Sequence, residues 1–192
     1  MDKNKKKDFH ISNIYLTGFM GTGKTVIGRE LARWTERKFI DTDNLIERMK
    51  KKPVADIFKQ YGEEGFRRCE REALLYLLSE HRPGSLVVST GGGIMLDPVN
   101  REKIEESGLI ILLTASKTAI LRRIKKEDTL RPLLALSDPG QKIEDLLDKR
   151  KEIYSIYDFK IDTTGVSVNF LSVQRASSLP ITVLPVPMKP VR

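Results

Sequence analysis

Asn13-Ile-Tyr-Leu-Thr-Gly18-Phe-Met-Gly21-Thr-Gly23-Lys24-Thr25-Val26 starts as an apolar strand and runs into the pattern G-x-x-x-x-G-K-[ST]. A loop that wraps phosphates turns its backbone N–H groups inward, which takes positive φ and no obstructing side chain. Glycine supplies both. A helix opening at Lys24 adds the positive end of its dipole. In this pattern Lys24 reaches the β- and γ-phosphates of a nucleoside triphosphate, and the Thr25 hydroxyl ligates Mg²⁺. Gly21, Thr22, Gly23 and Val26 complete the cradle. A chance Gly-Lys-Thr would be a mere turn, but this one sits between a strand and residues of helical spacing, Ile27, Leu31 and Trp34.

Outward from that loop, short apolar runs alternate with amphipathic stretches. Asn13–Thr17, Lys38–Asp41, Ser85–Ser89, Leu109–Leu113 and Phe159–Asp162 read as strands. Leu74, Leu77 and Leu78 share a helical face, as do Ile143, Leu146 and Leu147. Asp97-Pro98 reads as an N-cap and first helical residue, and Ser116 as the cap of the next helix. Strands separated by helices imply right-handed crossovers and a parallel sheet covered on both faces. The chain is α/β. Residues 125–140, with Arg131-Pro132 and Asp138-Pro139-Gly140, read as an exposed, mobile loop.

Of 192 residues, 34 are basic and 26 acidic, a net charge of +8. Residues 1–10 and 180–192 each supply two positive units, so only +4 belongs to residues 11–179. That suits an anionic ligand such as a nucleotide and is too little to demand nucleic acid. Residues 1–10 are expected to form a flexible basic lead, 11–179 a single domain, and 180–192, with four prolines and no acid, a loose tail. The longest apolar run, Leu109 to Leu113, is far short of the roughly 20 residues that span a bilayer. No small-residue cleavage site follows the Lys-rich start, so it does not read as a secretory signal. Cys69, the lone cysteine, permits no intramolecular disulfide, which fits a reducing cytoplasm.

The motifs also narrow the kind of phosphate binder. A GTPase would carry Asn-Lys-x-Asp late in the chain; Asn4-Lys-Lys-Lys7 lacks the acid and precedes the loop. A motor or transporter ATPase would be longer. The second strand ends in Asp41-Thr42-Asp43, where one carboxylate can face Mg²⁺ and the other a substrate hydroxyl. A solvated turn would favour the same triplet were the phosphate loop not present.

The ordered set Gly18–Thr25, Phe39-Ile-Asp-Thr-Asp43, Ile57-Phe58, Gly62-Glu63, Phe66-Arg67-Arg-Cys-Glu70, Gly91-Gly92-Gly93, Arg131-Pro-Leu-Leu134, and Arg150 with Tyr154 resembles shikimate kinase. The likeness runs from about Ile14 to Asp162. It implies a three-layer α/β/α P-loop kinase fold with a five-stranded parallel sheet, a substrate-binding segment and a mobile lid. The implied reaction moves the γ-phosphoryl of ATP to the 3-hydroxyl of shikimate, in a cytoplasmic enzyme expected to be a monomer. By the resemblance, Asp43 contacts the accepting hydroxyls and Asp41 holds Mg²⁺ through water. Arg67 and Arg150 bind the substrate carboxylate, the triple glycine lines the ring, and Arg131 descends from the lid onto the phosphates.

Chemistry agrees, since guanidinium matches carboxylate in a bidentate way and three successive glycines at a strand's C-terminal end invite close approach. Taken singly, Arg67 and Arg150 would be solvated helix residues. Glu152 stands where the family often has proline, and whether Arg122 or Arg123 meets adenine is open. Trp34 reads as core, His10 and His81 as surface residues, and Cys69 as inert. The alternatives are a related gluconate or nucleotide kinase, and a non-catalytic nucleotide-binding module.

Overall fold

The computed structural model describes residues 12–126 and 139–165. Five strands, β1 (Asn13–Gly18), β2 (Lys38–Asp41), β3 (Leu86–Ser89), β4 (Gly108–Thr114) and β5 (Phe159–Asp162), form one parallel sheet in the order β2-β3-β1-β4-β5. Between them lie α1 (Lys24–Trp34), α2 (Thr42–Lys50), α3 (Val54–Glu80), α4 (Pro98–Ser107), α5 (Lys117–Lys126) and α6 (Pro139–Lys149). β1 and β3 are buried throughout, as befits central parallel strands covered on both faces. On one face Ile14, Leu16, Ala32 and Val87 pack with Ile27 and Leu31 of α1. On the other, Ile57, Phe66, Leu74 and Leu77 of α3 pack against Val88 and Ile110.

All five expected strands form, β4 one residue longer at each end than expected. Asp97 caps α4, accepting from the Val99 and Asn100 N–H groups with Pro98 in the first turn, and the Ser116 hydroxyl accepts from Ala119 N–H. Two expectations need correcting. Trp34 is 49% exposed. The buried face of α1 runs through Gly28, Leu31 and Ala32, and a β-carbon at Gly28 would lie 2.5 Å from the Phe39 ring. Small residues let the helix approach there, and Trp34 lies off that stripe in the last turn. At the edges of the expected loop over 125–140, residues 125 and 126 belong to α5 and residues 139 and 140 to α6. Residues 127–138 and 166–192 lie outside the described residues, as does the lead before Ser12.

Chain order and strand order together position the site. β1 is followed by a connection toward β2, whereas the connection after β3 crosses to β4 on the other side of β1. The C-terminal ends of β1 and β3 therefore flank a topological switch point, where open α/β sheets bind ligands. Ser89 is in register with Asp41 and with Leu16, so β2 and β3 end side by side and β1 runs two residues further, to Gly18.

Candidate active site

At the end of β1, Gly18 has φ 136°, and a β-carbon there would lie 2.2 Å from the Leu113 carbonyl oxygen. Only glycine makes that turn. Gly23 stands at the N-cap of α1 with φ 88° and no side-chain cap, leaving the helix's first N–H groups for an anion. Gly21 packs against α5, where a β-carbon would meet Ile120 O at 3.4 Å. Thr22 is buried and donates its hydroxyl to Phe19 O at 2.7 Å, so it shapes the loop with its side chain. Lys24 Nζ folds back onto the Gly18 and Phe19 carbonyls at 2.9 and 3.0 Å. Val26 is half-buried in the first turn of α1.

Thr25 and Asp41 meet as expected, the hydroxyl donating to Asp41 Oδ2 at 3.0 Å. Asp41 has a second task, since Oδ1 accepts from the Asp43 and Asn44 N–H groups at 3.1 and 3.4 Å as the N-cap of α2. One carboxylate thus ties the phosphate-loop helix to the turn that carries Asp43. Hydroxyl and carboxylate oxygens at this separation suit a hard cation such as Mg²⁺, which takes its other ligands from phosphate and water. Among the described residues no group of three or more His, Cys, Asp or Glu could hold a metal by itself.

The loop after β3 brings the acceptor side together. Thr90 extends the ladder by donating its N–H to Leu16 O at 3.0 Å, and Gly91 N–H donates to the buried Thr42 hydroxyl at 2.7 Å. Each of the three glycines then abuts a different polar side chain. A β-carbon at Gly91 would lie 2.7 Å from Asp43 Oδ1, one at Gly92 2.7 Å from Arg150 Nη1, and one at Gly93 2.4 Å from Arg67 Nη1. These three side chains come from α2, α3 and the end of α6, and the triplet is their common floor. Gly92→Ala is expected to push the Arg150 guanidinium aside and raise the Michaelis constant for a carboxylate substrate about tenfold, or about 1.4 kcal/mol. Steady-state kinetics checks this, and an unchanged constant would separate Gly92 from the site.

Arg67 is steered by its own helix. Gly62, with φ 67° and ψ −172°, breaks α3, and the segment after it presents Glu63, Arg67 and Glu70 one turn apart. Arg67 donates to Glu70 Oε2 at 2.6 Å and to Glu63 Oε1 at 2.8 Å. Burial works against its charge, but these two carboxylates outweigh burial and raise its pKa.

Glu70 is 0% exposed, and its Oε1 makes no hydrogen bond among the described residues. That oxygen would stand 3.1 Å from a β-carbon at Gly91, beside Asp43. Burial first, with Asp43 adding to it against the pull of Arg67, pushes the Glu70 carboxyl from 4.5 up to about 7. Between those values the folded chain holds a proton that the unfolded chain has lost. Stability therefore falls as pH rises through this window, with a slope approaching about 1.4 kcal/mol per pH unit. Denaturant melts of the wild type and Glu70→Gln across the window check the sign; the variant's curve is expected to be flatter, and equal slopes would count against it.

Arg150 is 6% exposed, and among the described residues it forms no ion pair. Its guanidinium lies over the Phe19 ring, 5.6 Å from the centroid. Tyr154, whose hydroxyl donates to Gly92 O at 3.4 Å, flanks it. Glu63 and Glu70 act on Arg150 only at a distance, and a buried cation not closed into an ion pair among the described residues suits an anionic ligand.

Thus Lys24, Thr25 and Asp41 converge on one side, and Asp43, Arg67, Arg150 and Gly91–Gly93 on the other. Arg131 lies outside the described residues. Of the two arginines on α5, Arg122 is exposed, whereas Arg123 donates to Gly21 O at 2.9 Å and to Thr163 Oγ1 at 3.1 Å. Thr163 Oγ1 is also within 3.0 Å of Thr22 O and Thr114 O. Sequence reasoning gave no role to Thr42, Phe19, Thr163 or Glu70. Only Glu70 left a signal, its spacing of three from Arg67 on a helix.

A glycine-rich phosphate loop on the central strand of a parallel sheet in this order defines a P-loop kinase of the three-layer α/β/α type. Comparison with known proteins is narrower. Residues 20–176 match the sequence model of the family described as Shikimate kinase, and the chain belongs to that family. It is 43% identical to a shikimate kinase of Caldanaerobacter subterraneus subsp. tengcongensis over 82% of this chain and 90% of that protein. It is likewise 43% identical to one of Pelotomaculum thermopropionicum over 83% and 90%. The solved shikimate kinase from Acinetobacter baumannii in complex with shikimate superposes with TM-score 0.77 and 37% identity, over 85% of this chain and 90% of that one. A gluconokinase from Sinorhizobium meliloti, 16% identical with TM-score 0.51 over 84% and 87%, shares the architecture alone.

Proposed function

We propose that this chain transfers the γ-phosphoryl group of ATP to the 3-hydroxyl of shikimate, giving shikimate 3-phosphate and ADP, a step of aromatic amino-acid biosynthesis. The observation that carries this reading is the glycine triplet with Asp43, Arg150 and Arg67 each against one glycine, directly beside the phosphate loop. Two guanidinium groups and a carboxylate around a floor without side chains fit a small, rigid, polyhydroxylated acid. The family membership and the shikimate-bound Acinetobacter relative support the same substrate.

The residues divide the work. Arg67 and Arg150 take the ring carboxylate from two sides, which fixes the ring's orientation. Asp43 accepts a hydrogen bond from the attacking hydroxyl and aims its oxygen at the terminal phosphorus. The loose transition state asks little of a base, so orientation outweighs proton removal. Lys24 exchanges the Gly18 and Phe19 carbonyls for phosphate oxygens, where its charge offsets charge spreading onto the equatorial oxygens. Thr25 and Asp41 would hold Mg²⁺, which when bound offsets phosphate charge. Arg131, placed by the sequence resemblance, is assigned to the transferring group. We assign the enzyme to the cytoplasm and to a monomeric state.

ADP release measured with shikimate, quinate and gluconate as acceptors tests the reading. Shikimate is expected to be turned over far faster than either. Equal turnover of gluconate would favour a broader sugar-acid kinase, and nucleotide binding with no turnover on any acid would favour a non-catalytic module.

A further inference from the structure

Phe19 occupies a position that the phosphate-loop pattern leaves open to any residue, yet it is 2% exposed and among the largest fully buried side chains of the chain. Its backbone belongs to the nucleotide side, where Phe19 O accepts from Lys24 Nζ and from the Thr22 hydroxyl. Its ring belongs to the other side. Arg150 stacks on it at 5.6 Å, with Gly92 and Tyr154 as further neighbours. Phe19 belongs to a buried cluster with Met20, Ile120 and Ile143, against which Tyr154 packs, and burial there restricts the ring on which the guanidinium lies.

We propose that Phe19 is a positioning residue for substrate recognition: its ring face seats the Arg150 guanidinium, so that a phosphate-loop side chain sets the affinity for the substrate carboxylate. This rests on the reading that Arg150 holds that carboxylate. A buried guanidinium with no ion pair among the described residues gains from a surface that holds it in one orientation before the anion arrives. The negative face of an aromatic ring provides one without competing for the guanidinium's N–H donors. A carboxylate in its place would neutralise the cation and cost affinity for the substrate. The ring therefore holds Arg150 ready while taking none of its N–H donors, one of which serves the Tyr154 hydroxyl.

Phe19→Leu keeps an apolar side chain and removes the π face. The full-length variant is expected to show a rise of about 3- to 30-fold in the Michaelis constant for shikimate. Its kcat and its constant for ATP are expected to stay within about twofold, the margin set by a backbone left in place. The neutral methyl ester of shikimate is the second arm, and on it wild type and variant are expected to bind alike. Replacing Phe19 with a trifluorinated phenylalanine keeps the shape and weakens the ring's negative face, and is expected to reproduce part of the loss. A rise that is equal for acid and ester, or absent with the fluorinated ring, would reduce Phe19 to packing and overturn the proposal. Arg150→Lys separates the two levels of inference. If it leaves the shikimate constant unchanged, the carboxylate reading of Arg150 fails, and the role of Phe19 fails with it. If it raises the constant while Phe19→Leu does not, only the role of Phe19 fails.

Discussion

Asp43→Asn is expected to lower kcat/KM for shikimate by about 10²- to 10⁴-fold while leaving the fold intact. The carboxylate stands over Gly91 in the first turn of α2, its backbone held by the Asp41 cap. Asparagine keeps the volume and the helical position. It loses the negative charge that draws a hydroxyl, and it puts a donor where one of the two carboxylate oxygens stood. The cap itself is untouched, since it uses the residue's N–H and not its side chain. A second readout comes with it. Asp43 helps to raise the Glu70 pKa, so its removal is expected to bring the Glu70 midpoint below about 7. Carbon-13 NMR of the Glu70 carboxyl would show the shift. Near-normal turnover in the variant would remove Asp43 from the reacting atoms.

Lys24→Met is expected to lower kcat by about 10²- to 10³-fold and to weaken ATP binding. Methionine keeps the aliphatic stem and deletes the ammonium. In the structure that ammonium lies on the Gly18 and Phe19 carbonyls, at 2.9 and 3.0 Å, so the loop itself supplies its resting partners. The loss therefore includes a small cost to loop geometry and a larger one at the phosphates, where charge develops in the transition state. Calorimetry with ADP and with a non-hydrolysable ATP analogue separates the two costs. A loop effect weakens both ligands equally, and a phosphate effect weakens the triphosphate more. Turnover within tenfold of wild type would contradict the assignment.

Strand positions and helix caps were legible because they rest on local chemistry: short apolar runs, Asp97 before Pro98, Ser116 before a helical stretch. The phosphate loop was legible because glycine spacing and backbone curvature are the same fact. Trp34 was misread because periodicity weighs large apolar residues, whereas α1 packs through Gly28 and Ala32, whose small size draws it onto Phe39. The acceptor site was only half legible. Asp43, Arg67 and Arg150 lie far apart in sequence, and the resemblance named them without showing what they share. The reason is tertiary: Gly91, Gly92 and Gly93 each leave room for one of them. No pattern in the sequence could show that the Asp41 side chain would cap α2 and bind Thr25 at once, or that the Phe19 ring would lie under Arg150.

A crystal structure with shikimate and a non-hydrolysable ATP analogue bound together is the decisive observation. The carboxylate is expected between Arg67 and Arg150 above Gly92 and Gly93, with a ring hydroxyl on Asp43 and in line with the terminal phosphorus. A carboxylate seated elsewhere, or an Asp43 that no ring hydroxyl reaches, would contradict the assembly of the two half-sites described for this chain.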